Sequence, residues 1–139
     1  MGFPPSRVEH ETTGYEPVPE TPPPQSLEEL RQRLAAFAAA RDWDQFHTPK
    51  NLAMALIAEA AELVEHFQWL TPEQSMALDT RKHGEVAMEL ADILAYLVRI
   101  ADKLGVDLLA AAGRKITLNE QRYPADKVRG DARRAAEYD

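Results

Sequence analysis

The sequence contains no cysteine, which excludes disulfides and thiolate metal sites and leaves carboxylates and histidines to ligate any metal. It has no apolar run of the roughly 18 residues needed to cross a bilayer. No basic-then-apolar leader opens it, so a cytoplasmic location is expected, with no membrane partner. Basic residues are the minority charge: 16 Lys and Arg stand against 23 Asp and Glu, a formal net charge of −7. That balance repels a phosphate backbone, so polymeric nucleic acid is not an expected partner. A small anionic ligand remains compatible if a cation bridges it to acidic side chains. Long β-branched runs and alternating apolar patterns are also missing from the middle of the chain, so strands are not expected.

What is present fits one domain with a modest core, since 45% of the 139 residues are hydrophobic. Three parts differ in composition. Residues 1–25 hold seven of the ten prolines and almost no large aliphatics, which predicts a disordered proline-rich arm. Residues 26–124 are rich in Ala, Leu and Glu and predict an all-α helical domain. Residues 125–139, "ADKVRGDARRAAEYD", are charged and aperiodic and predict a flexible tail.

Four helices are predicted in the central part. The first opens at "SLEEL", with Ser26 as cap, Glu29 returning the bond in a capping box, and Leu27, Leu30, Leu34 and Phe37 as its apolar stripe. "RDWDQFH" is a loop, after which Thr48 caps a second helix with Pro49 at its first position, running to about Gln68. A polar linker with room for one helical turn leads to a third helix over about Glu85 to Leu104, stopped by Gly105. The fourth starts after Asp107 and runs to about Arg122, ended by "YP".

At about 100° per residue, the second helix has an apolar arc of Leu52, Leu56, Ala60, Leu63, Val64 and Phe67. Glu59 and Glu62 lie side by side at its edge, while Glu65 points to solvent. The third helix has an arc of Val86, Leu90, Ile93, Leu94, Leu97 and Ile100, with Glu89 and Asp92 at the equivalent edge. Four facing carboxylates repel one another and resist ionisation. A hard divalent cation with oxygen ligands resolves the repulsion, and Mg²⁺ is suited to a few carboxylates plus substrate phosphates. One ExxE alone is usually a solvated face; its repetition at equal offset argues otherwise. A di-iron bundle needs ExxH motifs, and His47, His66 and His83 do not supply them.

The segments "RDWDQFHTPKNLAMALIAEAAELVEHFQWL", "ELADILAYLVRIADKLGVDL" and "KITLNEQRYP" resemble the MazG-like nucleotide pyrophosphohydrolases, in the dCTP pyrophosphatase branch, over about Leu30 to Pro124. The resemblance implies an all-α bundle that completes its core as a homodimer or homotetramer. It implies Mg²⁺-dependent hydrolysis of a (deoxy)nucleoside triphosphate, dCTP or a modified pyrimidine, to monophosphate and pyrophosphate, a reaction that cleans the nucleotide pool. Glu59, Glu62, Glu89 and Asp92 match the family's metal-binding and catalytic acids. Trp43 and Trp69 match tryptophans of the base pocket, Tyr96 a tyrosine near the nucleotide, and Lys115 and Asn119 polar residues that reach phosphates or sugar. Ala58 stands where the broader family doubles its glutamate, and Leu34 where the mammalian enzymes have a histidine near the base.

The residues support these assignments unevenly. Trp43 in a polar loop suits base stacking, although both tryptophans could simply close the bundle's ends. Lys115, Asn119 and Arg122 share one helix face, and such a strip suits a polyphosphate as well as plain solvation. His66 could join the acidic edge one turn after Glu62, although supporting hydrogen bonding, or no role, fits it better. Two other readings stay open: a non-catalytic nucleotide- or metal-binding module, and a helical adaptor whose proline-rich arm docks to a partner.

Overall fold

A computed structural model describes residues 20–137. The arm predicted over residues 1–25 therefore lies largely outside the described residues; residues 20–25 are exposed and carry no regular structure. The helices are α1 (Leu27–Ala40), α2 (Pro49–Glu65), α3 (Pro72–Ser75), α4 (Thr80–Leu104), α5 (Leu108–Arg122) and α6 (Ala125–Val128), with 3₁₀ turns at Asp44–Phe46 and Ala135–Glu137. Among the described residues there is no strand, so the all-α expectation holds. None of the described helices is long and apolar enough to cross a membrane. The chain divides into two compact units between Leu104 and Gly105.

Local chemistry explains the helix starts. Ser26, Thr48 and Asp107 each accept a hydrogen bond from a first-turn backbone N–H, at Glu29, Asn51 and Ala110 respectively. The box expected at Ser26 is modified: the Glu29 carboxylate accepts from Gln25 N–H at 2.7 Å, one residue further out. A complete capping box forms instead at α3, between Thr71 and Gln74. Helix α4 begins at Thr80, five residues before the predicted start. Asp79 supplies the reason, because its Oδ1 accepts from Lys82 N–H at 2.8 Å. Gly84, in the stretch expected as polar linker, lies inside the helix with open space where a Cβ would stand.

The end of α1 positions the loop beyond it. Trp43 N–H reaches Ala38 O at 2.9 Å and Asp42 N–H reaches Ala39 O at 3.1 Å, the Schellman pattern, with Asp42 in the left-handed position at φ 54°. Such a position usually takes glycine; aspartate is among the few residues that tolerate it. The turn aims Trp43 back at Phe37, edge to face with ring centres 5.8 Å apart. Gly105, at φ 64°, ends α4 in the predicted way.

In the first unit α2 packs mainly on α4, and α1 also packs on α4. The predicted arc of α2 is buried or half-buried apart from Val64, whereas the face used on α4 differs from its predicted arc. Leu90, Leu94 and Leu97 are exposed by 41 to 52%, and Val64 is exposed as well, whereas Glu59, Glu89, Tyr96 and Arg99 are buried beside Leu52, Val86, Val98 and Ala101. The α2–α4 seam is thus rotated toward the acidic edge, and the leucine stripe of α4 is left uncovered in the single chain. In the second unit the segment predicted as a flexible tail carries α6 and a 3₁₀ turn, and Ala135 N–H donates to the Tyr123 hydroxyl at 3.3 Å.

Candidate metal centre

The rotation of the seam brings the four predicted acids into one region. Glu59 and Glu62 stand one turn apart on α2, Glu89 and Asp92 one turn apart on α4. One carboxylate oxygen from each of Glu59, Glu89 and Asp92 lies within 4.8 Å of the others. Glu62 is outside this trio but acts on all three members electrostatically. Glu59 and Glu89 are only 7% and 8% exposed, and the Oε2 of each is buried with no hydrogen-bond partner. A buried carboxylate oxygen without a donor is costly. Hard oxygen donors of this number and spacing could hold a divalent cation.

The electrostatics follow from the same geometry. Burial, then the charges of Asp92, Glu62 and Glu89, push the Glu59 carboxyl from its ordinary 4.5 to about 7. Burial also raises Glu89, partly countered by a contact from His66, and raises Asp92 together with the charge of Glu62. A raised folded-state pKa means that the folded protein holds its proton longer than the unfolded chain, so stability is lost as pH rises. Metal-free protein is therefore expected to lose thermal stability between about pH 4.5 and about 7 through Glu59. A saturating divalent cation should abolish that loss; unfolding midpoints in chelator and in Mg²⁺, followed across this range, check it.

A cavity of about 340 Å³ is lined by Phe46, His47, Asn51, Leu52, Met54, Ala55 and Tyr96. Ala55 is one turn before Glu59 on α2, and Tyr96 one turn after Asp92 on α4, so the cavity follows the acids along both helices. Its size is that of a small-ligand pocket. Tyr96 is 1% exposed. Asn51 Nδ2 donates to Phe46 O at 2.9 Å and fixes the loop rim.

The remaining predicted residues are distributed differently. Trp43 is half-buried and packs on Phe37 and, tilted at 6.4 Å, on His47. It supports the cavity wall through His47 and is not itself in the lining. Trp69, just past α2, is 87% exposed. Lys115 and Asn119 share a face of α5 in the second unit, the first exposed and the second half-buried.

Sequence reasoning missed His47, Asn51 and Arg99. The "HTPKN" cap places His47 and Asn51 on either side of a helix start, a signal that could have joined them. Arg99 is 1% exposed. It donates to Asp44 at 2.9 Å and to Asp102 at 3.1 Å, and its Nη2 lies 3.3 Å from His47 Nδ1. Arginine offers only donors, so Nδ1 of His47 is the accepting nitrogen. Lys103 adds a 2.6 Å bond to Asp44, and Arg31 on α1 a 3.1 Å bond to Asp102. The network ties α1, the Trp43 loop and α4 together.

A profile of the MazG-like family matches residues 55–137, a span that contains all four acids. The chain is 42% identical over 117 residues to dCTP pyrophosphatase 1 of Homo sapiens, covering 83% of this chain and 69% of that protein. It is 45% identical over 109 residues to dCTP pyrophosphatase 1 of Bos taurus, covering 77% and 64%. It thus spans about two thirds of the length of these relatives. Among solved structures, a pyrophosphatase from Archaeoglobus fulgidus superposes with a TM-score of 0.67 at 40% identity, over 70% of this chain and 92% of that one. With an all-α fold, the acids on two packed helices, and these matches, the chain belongs to the MazG-like family.

Proposed function

We propose that this chain hydrolyses a (deoxy)nucleoside triphosphate, dCTP or a modified pyrimidine deoxynucleotide, to the monophosphate and pyrophosphate, with Mg²⁺ held by Glu59, Glu62, Glu89 and Asp92. The chain is a nucleoside triphosphate pyrophosphohydrolase, the class supported by its family and by relatives named for that activity. The observation that carries the site is the convergence of three carboxylate oxygens within 4.8 Å, with buried, unpartnered oxygens on two of the residues. Mg²⁺ bound there would supply Lewis-acid stabilisation of charge on the phosphate oxygens.

The chain's own residues account for the rest. Glu59, Glu89 and Asp92 grip from both helices, which fixes the phosphates relative to the seam. Half-buried Glu62, coupled to the trio, adds its carboxylate to the metal set and orients the attacking water. The cavity beyond the acids receives the nucleoside, with Tyr96, Phe46 and His47 as its ring surfaces and Asn51 as a polar contact. Family resemblance adds Trp43 and Trp69 toward the base and Lys115 and Asn119 toward phosphates or sugar. The exposed stripe of Leu90, Leu94 and Leu97 supports self-association as a dimer or tetramer. The work is that of a cytoplasmic housekeeper of the nucleotide pool.

Incubation with Mg²⁺ and a panel of standard and modified nucleoside triphosphates tests the reading. Monophosphate with pyrophosphate is the expected product pair, fastest from dCTP or a modified pyrimidine. Diphosphate with orthophosphate would mean a different reaction, and nucleotide binding without turnover would mean an idle binding module.

A further inference from the structure

Next to the acids stands a side chain that the proposed reaction does not use. His66, the residue closing α2, has a side chain only 15% exposed, wedged between the acidic cluster and the first turn of α4. Its Nε2 is 3.5 Å from Glu89 Oε1, and its Nδ1 is 3.3 Å from Lys82 Nζ, nearer than to Glu85 Oε2 at 4.0 Å. Lys82 is itself anchored, with Nζ 3.3 Å from Glu85 Oε2, and Glu85 is held from the other side by Arg81 at 3.2 Å.

Hydrogen-bond chemistry fixes the direction of this chain of contacts. An ammonium group carries donors and no acceptor, so the nitrogen facing Lys82 must accept. A neutral imidazole with Nδ1 accepting carries its proton on Nε2, the nitrogen that faces Glu89. The ring therefore turns its N–H toward Oε1 of Glu89, 3.5 Å away. Oε2 of the same carboxylate is buried and has no hydrogen-bond partner.

We infer that His66 is a positioning residue for the cation: with Lys82 setting its tautomer, it pins Glu89 through Oε1 and leaves Oε2 directed to a divalent metal. The inference rests on the metal reading given above and deepens it. Carboxylates that bind metals are commonly held in this way by a second hydrogen bond, and removal of such a partner lowers affinity without removing a ligand.

Mg²⁺ titration of the metal-free full-length protein, followed by calorimetry, tests it. His66→Leu keeps the bulk and loses the donor, and should weaken Mg²⁺ binding by roughly 10- to 100-fold. His66→Gln can donate an amide N–H to the same oxygen and should stay within about threefold of wild type. Lys82→Met also removes a charge that repels Mg²⁺, so it is read against Arg81→Met, which removes an equal charge on the same Glu85 without touching the ring; binding several-fold weaker than in Arg81→Met is expected, which keeps the test open if His66→Leu does not fold. An affinity in Lys82→Met no lower than in Arg81→Met, or wild-type affinity in a folded His66→Leu, overturns the inference, as does a glutamine variant as weak as the leucine one. Glu89→Gln separates the two levels. If it binds Mg²⁺ like wild type, the metal reading itself is wrong; if it loses binding while His66→Leu does not, only the role of His66 is.

Discussion

Glu59→Gln is expected to release pyrophosphate at least about 100-fold more slowly than wild type and yet, without metal at about pH 8, to unfold at a higher temperature. The two effects have one origin. Glu59 is buried in the α2–α4 seam, and its carboxyl is held at about 7 by burial and by Asp92, Glu62 and Glu89. Above that pH the folded protein carries a charge it would shed if it could, so it is less stable than the neutral form would make it. Glutamine keeps the shape and removes the charge, which relieves the metal-free protein. It also removes part of the negative charge that binds the cation, and metal stabilisation of a transition state is a matter of several kcal/mol. At about 1.4 kcal/mol per factor of ten, this is a loss of two orders of magnitude or more. Steady-state pyrophosphate release and thermal unfolding in chelator are the measurements. Lost activity together with a lowered midpoint would indicate simple misfolding and count against a charge-based role.

Arg99→Ala is expected to destabilise the fold by about 3–5 kcal/mol, read from the midpoint of urea unfolding. The guanidinium is buried, and it donates to Asp44, 55 positions away in the loop after α1, and to Asp102, one turn on in α4. Charge-assisted bonds of this kind contribute about 1.5–3 kcal/mol each, and truncation also empties a large packed volume. Asp44→Asn should cost clearly less, because Asp44 is largely exposed and Arg99 keeps Asp102. The same truncation frees the loop that carries Trp43 and His47, so KM should rise more than kcat falls. If Arg99→Ala proves as stable as wild type, the network is surface decoration and the cavity wall is held by something else.

The helix boundaries were legible because capping is local. Ser26, Thr48 and Asp107 act within three residues of themselves, and Gly105 ends α4 through its own backbone. The pairing of two acids one turn apart on each helix was legible for a related reason, because the i, i+3 spacing is local to its helix. The rotation of the helices was not. Assigning the widest apolar arc to the interior put Leu90, Leu94 and Leu97 inside and Glu89 at the rim, and the fold does the reverse. An inward charge is stabilised by partners that sequence spacing does not reveal, as with Arg99 and Asp44, 55 positions apart. The direction taken by Trp69 was likewise not legible, since a tryptophan after a helix end can face either way, and in the single chain it is exposed.

A crystal grown with Mn²⁺ in place of Mg²⁺, measured for anomalous scattering, tests the central claim most directly. The account predicts a difference peak between α2 and α4 within coordination distance of Glu59, Glu89 and Asp92, with an oxygen of Glu89 among the ligands. A peak elsewhere, or none at these carboxylates at saturating Mn²⁺, would contradict it.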